Sequence, residues 1–162
     1  MRLKQEVIDI LNTRLKDEMT AFYTYRAIVN WANDKGYSHI AKYYTTESED
    51  ELVHAKKLED LASGFGERLI LPQIETPQLS FEDYTEVLDL NEELEVDLYI
   101  SYDEDSKKLL ELGENTIFDY LAFHRGVQLE SVMQVKTLKD RIAGVEKTEF
   151  NLRQMEKIVF KI

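Results

Sequence analysis

Apolar residues along this chain recur at alternating spacings of four and three, the repeat of helices that bury one stripe against a bundle core. The runs break where Gly and Pro gather: at Gly36, at Gly64 and Gly66, at Pro72 and Pro77, at Gly113 and at Gly144, with only Gly126 inside a periodic stretch. Both residue types disfavour helix interiors. Helices are therefore predicted over roughly 3–34, 38–63, 81–112 and 116–143, with a short fifth near 148–158. Ser38 and Ser80 are the expected N-caps, Ser80 with Asp83 three residues on as a loose capping box. The connection GFGERLILPQIETPQL is too long for a hairpin between antiparallel neighbours, so helices two and three should run parallel, joined by a crossover along the bundle. The expected fold class is all-α, a four-helix bundle over residues 1–162 as one domain.

Each stripe is apolar at its ends and polar in its middle. The first reads Val7, Leu11, Leu15, Glu18, Phe22, Tyr25, Val29, Ala32, and the second Ile40, Tyr44, Glu47, Glu51, His54, Leu58. The third reads Leu88, Glu92, Glu95, Tyr99, Tyr102, Ser106, Leu109, and the fourth Ile117, Leu121, His124, Gln128, Ser131, Val135, Leu138. Carboxylates in a bundle core cost several kcal/mol each when unpartnered, and several at one depth repel one another. No Lys or Arg stands at the central stripe positions to neutralise them, which points to bound metal. Carboxylate with imidazole and no sulfur suits iron, manganese or zinc, and Glu from separate helices plus Glu-x-x-His is the framework of paired-metal bundles. Here that motif is Glu51-Leu52-Val53-His54. Alone it is weak, since 32 acids in 162 residues give three His about 0.6 chance matches. Set opposite Glu18 and Glu95 it gains force.

Composition narrows the partners. Twenty basic against 32 acidic residues leave a net charge of −12, the wrong sign for nucleic acid or an anionic membrane and a favourable one for cations. With no Cys there are no disulfides and no thiolate ligands. No secretory leader pattern and no apolar run long enough for a membrane span are visible, so a cytoplasmic protein is expected.

With these residues in place, the sequence resembles the ferritin-like family, and bacterioferritins within it, across all four helices. Glu18 through Tyr25 and Glu47-Ser48-Glu49-Asp50-Glu51-Leu52-Val53-His54-Ala55 are similar to that family's first two helices without a gap. The resemblance implies that Glu18, Glu51 and His54 hold the first iron, with Glu51 bridging, and that Tyr25 is the redox-active core tyrosine beside the iron pair. It implies Glu47 and Asp50 as iron-capturing residues of an inner surface. Glu95 corresponds to the ligand of the third helix, with Glu92 one turn earlier as the alternative. On the fourth helix the family's Glu-x-x-His is replaced by Gln128-Leu129-Glu130-Ser131, so Gln128, with Glu130 or His124, would have to complete the second site. Leu52 stands where a haem-binding Met would be, so no haem is expected. The terminal EFNLRQMEKIVFKI resembles the fifth helix that closes pores in a cage of 24 subunits built from dimers.

The resemblance therefore implies an iron-storage protein with ferroxidase activity, taking Fe(II) to Fe(III) with O₂ or H₂O₂ and keeping it in a hollow homo-oligomeric shell. The alternative is a ferritin-like shell subunit whose metal site has decayed. Plainer readings stand beside these. Glu47 and Asp50 fit a solvated acidic face. His124 fits a packed imidazole beside Tyr120. Ile28, Trp31, Leu90, Leu94 and Leu98 lie off the seam and are expected to serve helix-pair dimerisation.

Overall fold

The computed structural model describes residues 2–161, which form five helices and, among the described residues, no strand. These are α1 (Gln5–Lys35), α2 (Ser38–Gly64), α3 (Tyr84–Leu112), α4 (Asn115–Ile142) and α5 (Glu149–Val159). α1 pairs along its length with α2, and α3 with α4. Each pair is closed by a tight turn in which Gly36 (φ 75°) or Gly113 (φ 73°) takes the left-handed conformation that glycine adopts without strain.

Between the pairs the chain runs extended along α1. Ile70 N–H donates to Asn12 Oδ1 (2.8 Å), while Phe81 packs edge-on against Trp31 (5.4 Å between centroids). Asn12 and Trp31 lie near opposite ends of α1, so the segment crosses most of the bundle and α3 starts at the end where α2 starts. The two are parallel.

Helix starts depart from expectation. The cap of α3 is Asp83, whose carboxylate accepts from Thr85 N–H (2.7 Å), and Ser80 lies outside the helix. Ser38 is already helical, and no side chain of the preceding residues caps α2. Its free amides are taken by Glu156 of α5, whose Oε1 accepts from His39 N–H (2.6 Å) and Ile40 N–H (3.0 Å). α5 is thereby fixed to its own bundle, with Leu152, Val159 and Phe160 in the core. Ile28, Trp31 and Leu98 are buried within the chain, which corrects their assignment to a dimer face; Leu90 and Leu94 are partly buried against the same core.

The core has two apolar halves. One gathers Tyr25, Ile28, Tyr44, Val87, Leu88 and Val135, the other Val7, Leu11, Leu15, Leu58, Leu109 and Leu121. Between them lies a polar layer. No helix of the described residues is long and apolar enough to cross a membrane.

Candidate metal centre

All four long helices contribute to the polar layer: Glu18 from α1, Glu51 and His54 from α2, Glu95 from α3, His124 and Gln128 from α4. The carboxylates of Glu18, Glu51 and Glu95 are at most 4% exposed, as are His124 and Gln128. His54 is half-buried, and its Nδ1 lies 3.2 Å from Glu51 Oε2 and 3.6 Å from Glu18 Oε2. His124 Nε2 is 3.3 Å from Glu18 Oε1, and its ring meets that of His54 edge to face at 4.3 Å between centroids. One donor atom each from Glu18, His54 and His124 falls within 4.8 Å of the others.

Two tyrosines hold the carboxylates in place. Tyr102 O–H donates to Glu18 Oε1, and Tyr25 O–H donates to Glu95 Oε1. Behind Tyr25 the chain continues: Asn91 Nδ2 donates to the Tyr25 hydroxyl (2.9 Å), and Tyr44 O–H donates to Asn91 Oδ1 (2.9 Å). Behind Tyr102 sits buried Arg14, its guanidinium 5.3 Å from the Tyr102 ring centre and its Nε 2.9 Å from Asp105 Oδ2. The bundle thus does contain a buried cation near the layer, but its charge is directed to Asp17 and Asp105 and not to the central carboxylates.

The electrostatics fit an acid cluster short of positive charge. Burial pushes the Glu51 carboxyl well above the ordinary range, with the charge on Glu18 adding to the effect. Burial likewise raises Glu95 to about 8, against the lowering effect of the Tyr25 hydrogen bond. Glu18 moves the other way: burial alone would raise it, but the close approach of Glu51, His124 and His54 takes it well below the usual value. Glu47 stands at the edge of the layer, pushed up to about 7 by burial and by Asp50. Without a cation, protons hold the cluster together.

The donors also fit a metal. Glu18 Oε2, Glu95 Oε2, His124 Nε2 and Gln128 Oε1 are buried with no hydrogen-bond partner among the described residues. Leaving such atoms orphaned costs about 1–3 kcal/mol each, and those of Glu18 and His124 belong to residues whose donors, with one of His54, lie within 4.8 Å of one another. Oxygen and imidazole donors without sulfur suit iron, manganese or zinc.

Glu18, Glu51 and His54 are therefore brought together, Glu95 is tied to Tyr25, and Gln128 is buried one helical turn from His124. Glu130 is not; it is exposed and lies off the inward face of α4. Ser131 is no substitute, since its hydroxyl lies against the Val127 carbonyl of its own helix (3.4 Å). Glu92 points away and pairs with Lys139, which also reaches Asp89 (2.9 Å). Asp50 is exposed. Nothing in the sequence marks Asn91, and His124 is open there between packing beside Tyr120 and completing the second site. His124 does stack on Tyr120 (6.1 Å, 5° between planes), yet its Nε2 faces Glu18.

Fold and site together define a class: a four-helix bundle with a long crossover, whose polar mid-layer is built from carboxylates and imidazoles of every long helix. The family model described as Ferritin-like domain matches residues 8–145, and the chain belongs to that family. A bacterial non-heme ferritin of Staphylococcus epidermidis is 29% identical over 84 residues, covering 52% of this chain and 51% of that one. The match thus spans about half the length of that relative. A probable bacterial non-heme ferritin-like protein of Haemophilus influenzae is 21% identical over 140 residues, covering 86% of this chain and 85% of its own. Among solved structures, an open pore ferritin from the archaeon Archaeoglobus fulgidus superposes with a TM-score of 0.91 at 17% identity, covering 99% of both chains.

Proposed function

We propose that this protein stores iron, that its bundle oxidises Fe(II) at a two-ion carboxylate site, and that Fe(III) accumulates within a hollow shell of many copies in the cytoplasm. The family supports iron storage; the observation that carries the oxidation step is the mid-layer of buried, unpartnered acids. Fe(II) is the substrate. Glu18, Glu51 and His54 would hold one ion, Glu51, Glu95 and Gln128 the other, with Glu51 shared. Each Fe(II) yields one electron, so a pair supplies the two that reduce O₂, with two protons, to H₂O₂. Carboxylates favour the harder ferric ion and so pull the couple toward oxidation. Protons displaced from Glu51 and Glu95 as cations bind would leave through the layer's hydrogen bonds to solvent. Glu47, at the edge of the layer, would draw cations inward.

The test is anaerobic Fe(II) loading followed by exposure to O₂, with the double variant Glu51→Ala, His54→Ala expected to lose at least about 100-fold in oxidation rate, the scale seen for lost positioned groups. Oxidation at the wild-type rate would remove the assignment. One observation favours a second reading: the fourth helix supplies only Gln128 to the second position, since Glu130 and Ser131 do not reach it. A shell subunit with an incomplete site would bind one ion per chain and oxidise none.

A further inference from the structure

The polar layer is not symmetric. Its imidazoles gather around Glu18, which lies between His54 and His124, while Glu51 Oε2 also stands 3.2 Å from His54 Nδ1. His124 is the residue that makes the difference. It is 3% exposed, its Nε2 has no hydrogen-bond partner among the described residues, and Glu18 Oε2 is likewise buried and without one among them. The 3.3 Å between His124 Nε2 and Glu18 Oε1 lacks the alignment of a hydrogen bond, so the pair does not satisfy itself.

The surroundings restrict these three side chains. Tyr102 O–H takes one lone-pair direction of Glu18 Oε1 and leaves Oε2 free toward His54 Nδ1 at 3.6 Å. The His124 ring is held between Tyr120 stacked on one side and Tyr102 at 4.7 Å between centroids. The donors within 4.8 Å of one another are compact enough to be drawn onto one ion.

From this we infer that Glu18, His54 and His124 form a single-ion site for a zinc-like divalent cation, in which His124 adds a second imidazole to Glu18 and His54. Two neutral imidazoles and one carboxylate are a donor set typical of zinc with an open fourth position. Within the first-row series such a site binds zinc or cobalt more tightly than Fe(II) or Mn(II). Zinc should then occupy this position in preference to iron and block iron entry to the layer. The inference rests on the bundle being a metal-holding one, but not on its oxidising anything.

The test uses the full-length, metal-free protein titrated with Co(II), then Zn(II). One Co(II) per chain should bind with the intense visible bands of four-coordinate nitrogen and oxygen ligation, and one equivalent of Zn(II) should remove them. His124→Phe should abolish the bands and weaken Co(II) binding by at least about 100-fold, the upper end of what even outer-sphere partners cost. Should that variant fail to fold, X-ray absorption of the wild-type zinc complex reads the same point: two imidazoles per zinc are expected. A wild-type spectrum with only the weak bands of six oxygen ligands, one imidazole per zinc, or an unaltered His124→Phe titration would overturn the site. Iron oxidation without the cobalt signature would sink this inference alone; the signature without iron oxidation would sink only the storage-and-oxidation reading.

Discussion

Tyr25 and Tyr102 are fully buried phenols, each donating to a carboxylate that would otherwise have no partner on that oxygen. Tyr25→Phe removes a donor from Glu95 and an acceptor from Asn91 Nδ2, and should destabilise the metal-free protein by about 1–3 kcal/mol in chemical denaturation. Tyr102→Phe releases Glu18 and should weaken divalent-ion binding about tenfold in calorimetric titration, with helix content unchanged. Glu18, Glu51, His54 and Glu95 were legible at this scale because a carboxylate on an apolar stripe is conspicuous. Asn91 was not. A stripe of threes and fours can alternate in either order, and along α3 the buried positions run Leu88, Asn91, Glu95, Leu98, Tyr102 where the opposite alternation gives Glu92 and Tyr99. Both sequences return to Glu95, which accepts from Tyr25, and to Tyr102, which donates to Glu18, so either alternation turns these two inward. His124 was on the stripe but had nothing in the sequence to separate a packed imidazole from one facing Glu18.

Among the helices, the four long ones were readable from periodicity and from Gly and Pro, since each requirement is local. Their caps were not all local. α2 begins without a side-chain cap of its own and borrows Glu156 from the end of the chain, a contact that spacing does not reveal. Glu156→Ala should cost about 1–2 kcal/mol, as the loss of a good N-cap does, and hydrogen exchange should quicken in the first turn of α2 and in α5 together. Asp83→Ala at the start of α3 should cost about 1 kcal/mol, with faster exchange confined to that turn. The difference between a shared and a confined response separates a tertiary cap from a local one.

For the molecule as a whole, the two apolar halves supply the stability and the polar layer withdraws part of it. Glu95 and Glu47 titrate at about 8 and about 7 in the folded chain against an ordinary value of 4.5, and burial also raises Glu51. The folded state then binds more protons than the unfolded one between pH 4.5 and about 8, so stability falls as pH rises through that window. Glu18, shifted down, has the opposite sign and acts only in acid. The metal-free protein should therefore melt lower at pH 8 than at pH 5.5 by about 5 °C, on the order of 1–2 kcal/mol at this size, and a bound cation should flatten that slope.

The most direct measurement is thermal unfolding at pH 7 under anaerobic conditions, with Fe(II) varied over about three decades of concentration. A mid-layer built to hold cations predicts a melting temperature that climbs with the logarithm of free Fe(II), gaining about 2.7 kcal/mol at one hundred times the dissociation constant. A melting temperature that stays level across the whole series would contradict it.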